Sequence, residues 1–491
     1  MNRATERRIL ETAKYLRRVR PIDPEEVVDY LDAPADPATV HAVLREHAAE
    51  LMLLERPDGR FVPPERRQIH RRDGVDTVFP ARYAAHVVER LERQYGERWH
   101  EGESGDTLRE AIRTIKQLYF EGGAVQYSLD ETLGYMIYHM PATYASTLYV
   151  LDDLASSGVL WSPLRVLDVG AGVGGQALAL AEYVDEDSLV RYRGIEPSRP
   201  STELLESFLE RTQMNVHAVV EHATIEAAAI DETYDLMFLV NVLSELEDPT
   251  KTVSRLVSHL AADGTIVIIE PADERTSRDL RRVETEVVRA HPAVEVFAPT
   301  IRLWPGNQPT DHCWSIATYP DLELPEFQRA LDEGKRQRPG GRDPATREFC
   351  NVDVQFSYCV LRTDGKRIVD VEPVGSRVVP LADTPEHIGS RQDVVVVKLS
   401  RSLADDTANP LYVVGDGSQH IEHVAVVVEA SDATMPLQNA GYGDVVMLFD
   451  ALVLWNEDED AINLVVDGQT TTTIVASSRR NIGFDGGTTE Q

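Results

Sequence analysis

A glycine-rich loop that follows an apolar run is the part of this sequence best suited to bind a small molecule. In LRVLDVGAGVGG (164–175) the apolar residues predict a buried strand, and glycines at every second position follow it. Glycines allow a tight turn and let the backbone lie against a ligand. The binding residues predicted in this loop are Asp168, Gly170, Ala171, Gly172 and Gly174.

An acid at the end of the next predicted strand extends this site. LVRYRGIEPS (189–198) predicts a strand that ends at Glu196, 24 residues beyond Gly172, and Pro197 follows it. A carboxylate there can accept hydrogen bonds from both ribose hydroxyls of an adenosine-containing ligand. We therefore expect Glu196 and Pro197 to contact such a ligand. The alternative is a glycine-rich turn that binds nothing.

Two ligand classes compete for the loop. A dinucleotide needs a helix N-terminus that faces its pyrophosphate, whereas S-adenosylmethionine carries an amino-acid ammonium and carboxylate. An acid inside the glycine strand, Asp168, suits an ammonium and would repel a pyrophosphate. DVGAGVG with its internal Asp resembles the first motif of class I S-adenosylmethionine-dependent methyltransferases, and IEPS resembles their ribose-binding loop. S-adenosylmethionine is the cofactor that this resemblance implies.

Candidate catalytic residues follow the fourth predicted strand, in TYDLMFLVNVLSEL (233–246). Methyl transfer needs an in-line nucleophile at about 3 Å and little acid–base help if the acceptor is already nucleophilic. Base N-methyltransferases of the class I superfamily often carry Asn/Asp-Pro-Pro-aromatic here, but this chain lacks the prolines and the aromatic residue. Asn241 is a predicted cofactor contact, and Asn241, Ser244 and Glu245 are the candidates for catalysis.

The elements around these residues predict an α/β fold. From Leu164 onward, strands and helices alternate, which predicts a doubly wound, Rossmann-like parallel sheet of the class I methyltransferase type over residues 158–370. Ligands of such sheets bind at the carboxyl ends of the strands. A helical segment (79–157) precedes it and is expected to pack on this core.

Residues 1–64 predict a separate winged-helix-like domain. Three helices, the second capped by Asp23 and the third (37–51) capped by Asp36, precede a hairpin with a Pro-Asp-Gly turn. In a winged helix the third helix meets nucleic acid. His41, Arg45 and His47 are its polar candidates, and a small packing or protein-docking domain is an equal alternative.

Residues 371–480 predict a small β-barrel, because short strands alternate with turns. The order of strands and G-D turns resembles the oligonucleotide-binding (OB) barrel, in which Tyr412, Tyr442 and Trp455 would stack bases. From Asp370 onward, however, there are 20 acidic and 6 basic residues, so protein docking is as plausible as RNA binding. The tail, 481–491, is predicted to be flexible.

The charged-residue composition indicates the solvent conditions for which the protein is adapted. Lys+Arg total 49 and Asp+Glu 82 in 491 residues, for a net charge of −33, and only six basic residues are Lys. Such an excess of acid is typical of proteins adapted to high salt, which predicts a halophilic, cytoplasmic protein. Arginines concentrate at 3–20 and 56–72 as local exceptions. No apolar run suits a membrane span, and three cysteines predict no disulfide-linked partner.

Several stretches, taken in order, narrow the resemblance: GYMIYHMPATYASTLYVLDDL (134–154), YDLMFLVNVLSEL (234–246) and GTIVIIEPADERTSRDLRR (264–282). They resemble the methyltransferase-like family associated with the mitochondrial small ribosomal subunit, over about residues 80–365, and the chain looks like an archaeal-type member. The resemblance implies S-adenosylmethionine binding and a role on small-subunit ribosomal RNA or in small-subunit assembly and translation. The alternatives are an assembly factor that binds the cofactor without methyl transfer, and a small-molecule methyltransferase.

The cysteines depart from that family's pattern. Its cysteine cluster implies an iron–sulfur or zinc site, but Thr300 stands where one cysteine is expected. Cys313, Cys350 and Cys359 are too few for a four-cysteine site. We therefore predict no metal and interpret the three thiols as buried packing residues.

Overall fold

The computed structural model describes residues 3–31, 35–72, 74–121, 127–304, 306–307, 310–335, 347–371, 378–405 and 407–478. The predicted tail at 481–491 lies outside these residues. The α-helices are α1 (Arg3–Leu16), α2 (Pro24–Val28), α3 (Pro37–Glu46), α4 (Ala48–Leu51), α5 (Ala81–Tyr95), α6 (Gly102–Glu121), α7 (Leu129–Tyr138), α8 (Met140–Ser156), α9 (Gly175–Tyr183), α10 (Arg199–Leu209), α11 (Pro249–Val257), α12 (Glu274–Ala290), α13 (Glu326–Glu333) and α14 (Met435–Asn439).

The β-strands follow in the same chain order. They are β1 (Leu54–Glu55), β2 (Phe61–Val62), β3 (Arg67–Gln68), β4 (Trp161–Ser162), β5 (Leu164–Val169), β6 (Val190–Glu196), β7 (Val216–His222), β8 (Tyr234–Val240), β9 (Leu260–Pro271), β10 (Glu295–Ala298), β11 (Ala317–Tyr319), β12 (Val354–Arg362), β13 (Arg391–Lys398), β14 (Leu411–Gly415), β15 (Glu422–Val427), β16 (Val445–Asn456), β17 (Ala461–Val466) and β18 (Thr471–Ala476). Short 3-10 helices span Leu243–Glu245, Asp311–Cys313 and Leu381–His387.

The chain divides into two compact units. The first unit comprises Met1–Glu245, His259–Gly264 and Pro320–Val354. The second unit comprises Leu246–Ser258, Thr265–Tyr319 and Gln355–Gln491. Each unit is described below by itself.

The N-terminal part of the first unit contains the predicted helices and hairpin. The Asp36 carboxylate accepts a hydrogen bond from the Thr39 N–H at 2.9 Å, and the Asp23 carboxylate accepts one from the Glu25 N–H at 3.0 Å. Both acids therefore cap helices as predicted. The predicted third helix is divided at His47, because α3 ends at Glu46 and α4 follows it. β1 and β2 pair antiparallel as the hairpin.

The helical segment packs closely within the first unit. A Cβ placed on Gly134 of α7 would lie 3.3 Å from the Cβ of Ala111 on α6, so this glycine permits the close approach of the two helices. Helix α8 is buried along almost its whole length, which is why its sequence shows no polar face.

The strands β5, β6, β7 and β8 of the first unit form a parallel arrangement in the order β8-β5-β6-β7. Val166 of β5 pairs with Tyr192 of β6 on one side and with Leu236 of β8 on the other. Helices α9 and α10 connect the successive strands β5, β6 and β7, so the predicted α/β alternation is confirmed. The carboxyl ends of β5, β6 and β8 consequently meet at one edge, where the glycine loop, Glu196 and Asn241 follow them.

The second unit contains an antiparallel sheet and a closed barrel. β12 pairs antiparallel with residues 265–271 of β9 and with β10. The barrel order is β13-β14-β15-β17-β16, closed by pairing of β16 with β13, and β15 and β17 are parallel. α14 lies between β15 and β16 in the chain, and β18 pairs with β16 outside the ring. A closed five-stranded barrel is therefore confirmed in the C-terminal region.

Candidate cofactor site

The glycine loop is held tightly on one side and is open on the other. Gly170 has φ 67°, and a Cβ there would lie 2.4 Å from Cγ2 of Val242. Gly172 has φ 54°, but its Cβ would meet no atom nearer than the Gly170 carbonyl oxygen at 4.0 Å. The N–H of Gly170 donates to the Ile195 carbonyl at 2.9 Å, which fixes the loop to β6. The loop therefore leaves space for a ligand beside Gly172.

Glu196 joins the end of β6 to this loop. Its Oε2 accepts a hydrogen bond from the Gly172 N–H at 2.8 Å, and its Oε1 accepts one from the Ser198 N–H at 2.7 Å. The residue is 6% exposed, and burial raises the pKa of its carboxyl. An ionised carboxylate offers about four lone-pair positions, so two remain for other donors. Glu196 lies where the sequence predicts it, beside the glycine loop, and Pro197 follows it.

Asp168 is buried at the base of the loop. It is 0% exposed, and its two oxygens accept hydrogen bonds from Tyr192 Oη at 2.5 Å and from Gln176 Nε2 at 3.0 Å. Burial raises its pKa to about 7, against the lowering effect of these two donors. The carboxyl thereby ties β5 to β6 and to the first turn of α9. Its predicted contact with a ligand ammonium stays a prediction.

Asn241 lies on the exit loop of β8 in a left-handed conformation, with φ 55°. Its Nδ2 donates to Tyr135 Oη at 3.5 Å and to Thr143 Oγ1 at 3.4 Å. Asn tolerates this conformation better than most residues. The strained backbone and the two acceptor hydroxyls together orient the Asn241 amide toward α7 and α8.

Glu245 follows Asn241 on the same loop and meets a tyrosine pair. Tyr127 Oη donates to Glu245 Oε1 at 3.0 Å and lies 2.9 Å from Tyr119 Oη. Although the Glu245 residue retains solvent exposure, the protein around its carboxyl reduces hydration and raises its pKa to about 7. Ser244 beside it is exposed, and among the residues that the structure describes its side chain has no contact that distinguishes it as a catalytic group.

Aromatic rings pack around Tyr127, the hydrogen-bond partner of Glu245. Tyr127 lies edge to face with Tyr135 at 6.0 Å between centroids, and Tyr135 stacks on His139 at 4.9 Å. Burial and the Lys116 charge lower the pKa of His139 to about 3, so this imidazole is neutral. Tyr144, by contrast, packs against Phe79 at 5.3 Å in the core.

Sequence reasoning missed the partners of the predicted residues. Tyr192 and Gln176 bind Asp168, Tyr127 binds Glu245, and Tyr135 binds Asn241. A tyrosine in a helix or a strand is usually a core residue, so no signal in the sequence indicated these partners.

The polar side chains of α3 and its C-terminal end that were predicted to contact nucleic acid instead contact acidic residues of the same chain. His41 Nε2 lies 3.0 Å from Glu55 Oε1, and Arg45 Nε donates to Glu55 Oε2 at 2.6 Å. His47 lies beside Glu6 and Glu50 at 3.4 and 3.2 Å. These contacts favour packing over nucleic-acid contact for this helix.

The structure contradicts the prediction that Tyr412 is a stacking platform of the barrel, and it leaves Tyr442 only partly exposed. Tyr412 is buried, with the Lys398 ammonium 4.1 Å from its ring centroid. Tyr442 is half-buried, and its hydroxyl lies 2.8 Å from Ser315 Oγ. Tyr412 belongs to the buried core of the barrel, and Tyr442, in the turn before β16, packs against the Tyr358 ring at 5.9 Å. Trp455 is 37% exposed and remains available.

The thiols are not arranged as a metal site in the described residues. Cys313 and Cys359 are fully buried in the second unit, and Cys350 is half-buried in the first. Burial raises the pKa of all three thiols, which favours their protonated form. Within the described ranges, no group of three or more His, Cys, Asp and Glu side chains could hold a metal ion. In the same part of the chain, every helix is too short or too polar to span a bilayer.

Several solved structures are similar to part of this chain. The plantazolicin methyltransferase BpumL, solved with a pentazolic desmethylPZN analog and SAH, is 10% identical, with a TM-score of 0.31 over 53% of this chain and 99% of that chain. The N-methyltransferase NodS from Bradyrhizobium japonicum is 15% identical, with a TM-score of 0.27 over 45% and 97%. A putative methyltransferase from Thermoplasma acidophilum is 11% identical, with a TM-score of 0.27 over 42% and 71%.

Family models match three separate stretches of the sequence. Residues 6–57 and 382–475 match the N-terminal and C-terminal domains of a domain of unknown function, DUF8157. No curated protein matches the chain in sequence. The central match, over residues 130–314, is to the family described as mitochondrial small ribosomal subunit Rsm22, and it contains the glycine loop, Glu196 and the Asn241–Glu245 loop.

Proposed function

We propose that this protein binds S-adenosylmethionine and methylates small-subunit ribosomal RNA. The observation that carries the proposal is that one family match, to a small-ribosomal-subunit family, contains all the predicted site residues. Glu196 and the open loop at Gly172 lie together in that segment. We place it in a halophilic cytoplasm, which the acidic composition favours, and we regard it as archaeal-type on the family resemblance alone.

Two features of the site fit the cofactor. The Glu196 carboxylate retains acceptor positions for ribose hydroxyls beyond its bonds to Gly172 and Ser198. A Cβ at position 172 would extend into the open space beside the loop, so glycine leaves that space free for the ligand. When bound, S-adenosylmethionine supplies an electrophilic methyl group on a sulfonium. Glu196, Pro197 and the loop from Gly170 to Gly174 would hold it, with Asn241 at the exit of β8.

The acceptor side is formed by Glu245 and its tyrosines. A carboxylate with a pKa near 7 suits a general base, because it is partly ionised at neutral pH and still basic enough to accept a proton. Glu245 would take the proton that an acceptor nitrogen or hydroxyl releases during transfer. Tyr127 orients the carboxylate by its hydrogen bond. The rings of Tyr127 and Tyr135 offer a base an aromatic surface in place of the absent loop aromatic.

A second candidate function is a non-catalytic assembly factor of the small subunit. It is favoured by the exit loop, which lacks the prolines and aromatic residue of base N-methyltransferases. The closed environment of Asp168, with both oxygens bonded within the protein, favours it as well. In that function the cofactor stabilises the fold that grips the subunit.

The flanking domains suit either function. We interpret residues 1–64 as winged-helix-like and the closed barrel as OB-like, since its order, the parallel β15–β17 pair and α14 between the third and fourth strands agree with that type. Both domain types occur in proteins that bind nucleic acids.

Radiolabelled methyl transfer to isolated small ribosomal subunits distinguishes the two functions. The wild-type protein is expected to label the RNA, and Glu245→Gln is expected to abolish labelling while it still binds S-adenosylmethionine in a calorimetric titration. Subunit binding without label would reject the enzyme and leave the assembly factor. Absence of cofactor binding would reject both.

A further inference from the structure

Within the described residues, some basic side chains of the first helix and the turn after it are bound to other groups of the chain, and others are not. Arg7 pairs with Glu11 at 3.0 Å, Arg17 donates to the Leu51 carbonyl, and Arg20 pairs with Glu26 at 3.1 Å. Four other cations in and just after α1 form no ion pair with any residue that the structure describes. They are Arg3, Arg8, Lys14 and Arg18.

These four cations share the outward side of the helix. The inward side is formed by Ile9, Thr12, Ala13 and Leu16, which are buried. Arg8, Tyr15 and Arg18 follow one another at helical spacing on the opposite side, and Tyr15 is 67% exposed. Arg3 and Lys14 are exposed beside them. We call Arg3, Arg8, Lys14, Tyr15 and Arg18 the α1 surface.

The α1 surface contrasts with the rest of the protein. The net charge of the chain is −33, and long-range repulsion would drive a polyanion away from most of it. One acid, Glu11, lies on the same side of the helix as Arg8 and Tyr15, and its charge is already neutralised by Arg7. Arg45 of α3 is also neutralised, by Glu55. A polyanion therefore has a better contact on α1 than on α3.

We propose that the α1 surface binds the phosphate backbone of single-stranded RNA, with Tyr15 stacking on a base. Uncompensated cations interleaved with an exposed aromatic ring match the chemistry of that ligand, since the cations pair with phosphates and the ring accepts any base. The choice of RNA rests on the proposed function. The helix that contacts nucleic acid is thus the first one, not the third.

The test is the salt dependence of binding to a short, labelled, single-stranded RNA of mixed sequence. The combined variant Arg3→Gln, Arg8→Gln, Lys14→Gln and Arg18→Gln should make the slope of log K against log salt less negative by up to about 3. Tyr15→Ala should weaken binding about tenfold or more without a change in slope.

The matched control removes four exposed, ion-paired arginines elsewhere: Arg98→Gln, Arg199→Gln, Arg282→Gln and Arg329→Gln. It changes the net charge equally and should leave the slope unchanged. An equal slope change in both variants would overturn the proposal, and so would binding of polyglutamate as tightly as RNA. Calorimetry with S-adenosylmethionine and methyl labelling are run on the same proteins. If the RNA is not labelled but the slope change persists, the proposed methyl transfer is rejected and the proposal that the α1 surface binds RNA is retained.

Discussion

The carboxylate of Glu196 accepts a hydrogen bond from the backbone N–H of Gly172 at 2.8 Å, so the end of β6 holds the glycine loop in place. This side chain therefore shapes the loop and, in the proposed function, also offers acceptors to a ribose. The other half of the site is arranged in the same way, since Tyr127 holds Glu245 and Tyr135 holds the amide of Asn241.

Glu196→Gln should weaken S-adenosylmethionine binding by about ten- to a hundredfold. The amide keeps the size of the side chain but loses the charge, and its NH2 cannot accept one of the bonds from the Gly172 and Ser198 N–H groups. A hydrogen bond to a charged group contributes about 1.5–3 kcal/mol. Isothermal titration calorimetry measures the change. Glu203→Gln, on the exposed side of α10, is the matched control and should bind as wild type does. Equal affinity of the two variants would contradict the ribose-binding role.

Glu245→Gln should reduce methyl transfer by about a hundred- to ten-thousandfold with little change in cofactor affinity, because it removes the general base. The wild-type rate should rise with pH and level off above about 7, where Glu245 becomes ionised. Single-turnover labelling across a pH series tests both points. Glu247→Gln is the control for a nearby loss of charge. A pH-independent wild-type rate would exclude this role.

Asp168 should make the protein less stable as the pH rises from about 4 to about 7. Burial raises the pKa of Asp168 in the folded state to about 7. Its contribution to the free energy of unfolding is therefore fully present below the pKa of the unfolded state, and it is lost as the pH rises through the pKa of the folded state. The loss amounts to up to about 4 kcal/mol. Asp168→Asn removes the titration, and the difference in thermal midpoint between variant and wild type should change over this pH range. A constant difference would show that Asp168 stays ionised.

Asn215→Ala should loosen the N-terminal helices of the first unit. The Asn215 amide, 0% exposed, donates to the carbonyls of Glu55 at 3.0 Å and Glu186 at 2.7 Å, and its oxygen accepts from the Glu55 N–H at 2.8 Å. Leaving these buried backbone groups without partners costs about 1–3 kcal/mol each. Limited proteolysis should show faster cleavage between residues 63 and 80. Met214→Ala, at an exposed neighbour, should be cleaved as slowly as wild type.

Salt should raise the thermal midpoint of the wild-type protein. Repulsion within a chain of net charge −33 destabilises the compact state, and the screening length falls from about 10 Å at 0.1 M to about 3 Å at 1 M salt. Calorimetric scans in increasing KCl measure the effect. A midpoint that falls with KCl would mean that the surface ion pairs outweigh the repulsion, and it would contradict the halophilic interpretation.

The sequence by itself determined the elements with a strong local pattern. The strand that enters the glycine loop, the acid at the end of β6 and the caps at Asp23 and Asp36 lie where periodicity and turn chemistry predict them. These features depend on residues a few positions apart, so the local pattern is sufficient. The alternation of short strands likewise predicted the barrel. Its closure through β13 and β16 agrees with that prediction.

Only the tertiary structure decided which side chains meet. Tyr127 and Glu245 are 118 residues apart, and Asn241 and Tyr135 are 106 apart, so their contact depends on how α7 packs beside the exit of β8. Packing also buries Tyr412 inside the barrel, although its local sequence pattern predicted an exposed stacking residue. A local pattern specifies a residue's element, but its partners depend on packing between elements distant in the chain. For that reason the glycine loop was predictable from the sequence, whereas the partners of Asn241 and Glu245 and the pairing of Arg45 with Glu55 were not.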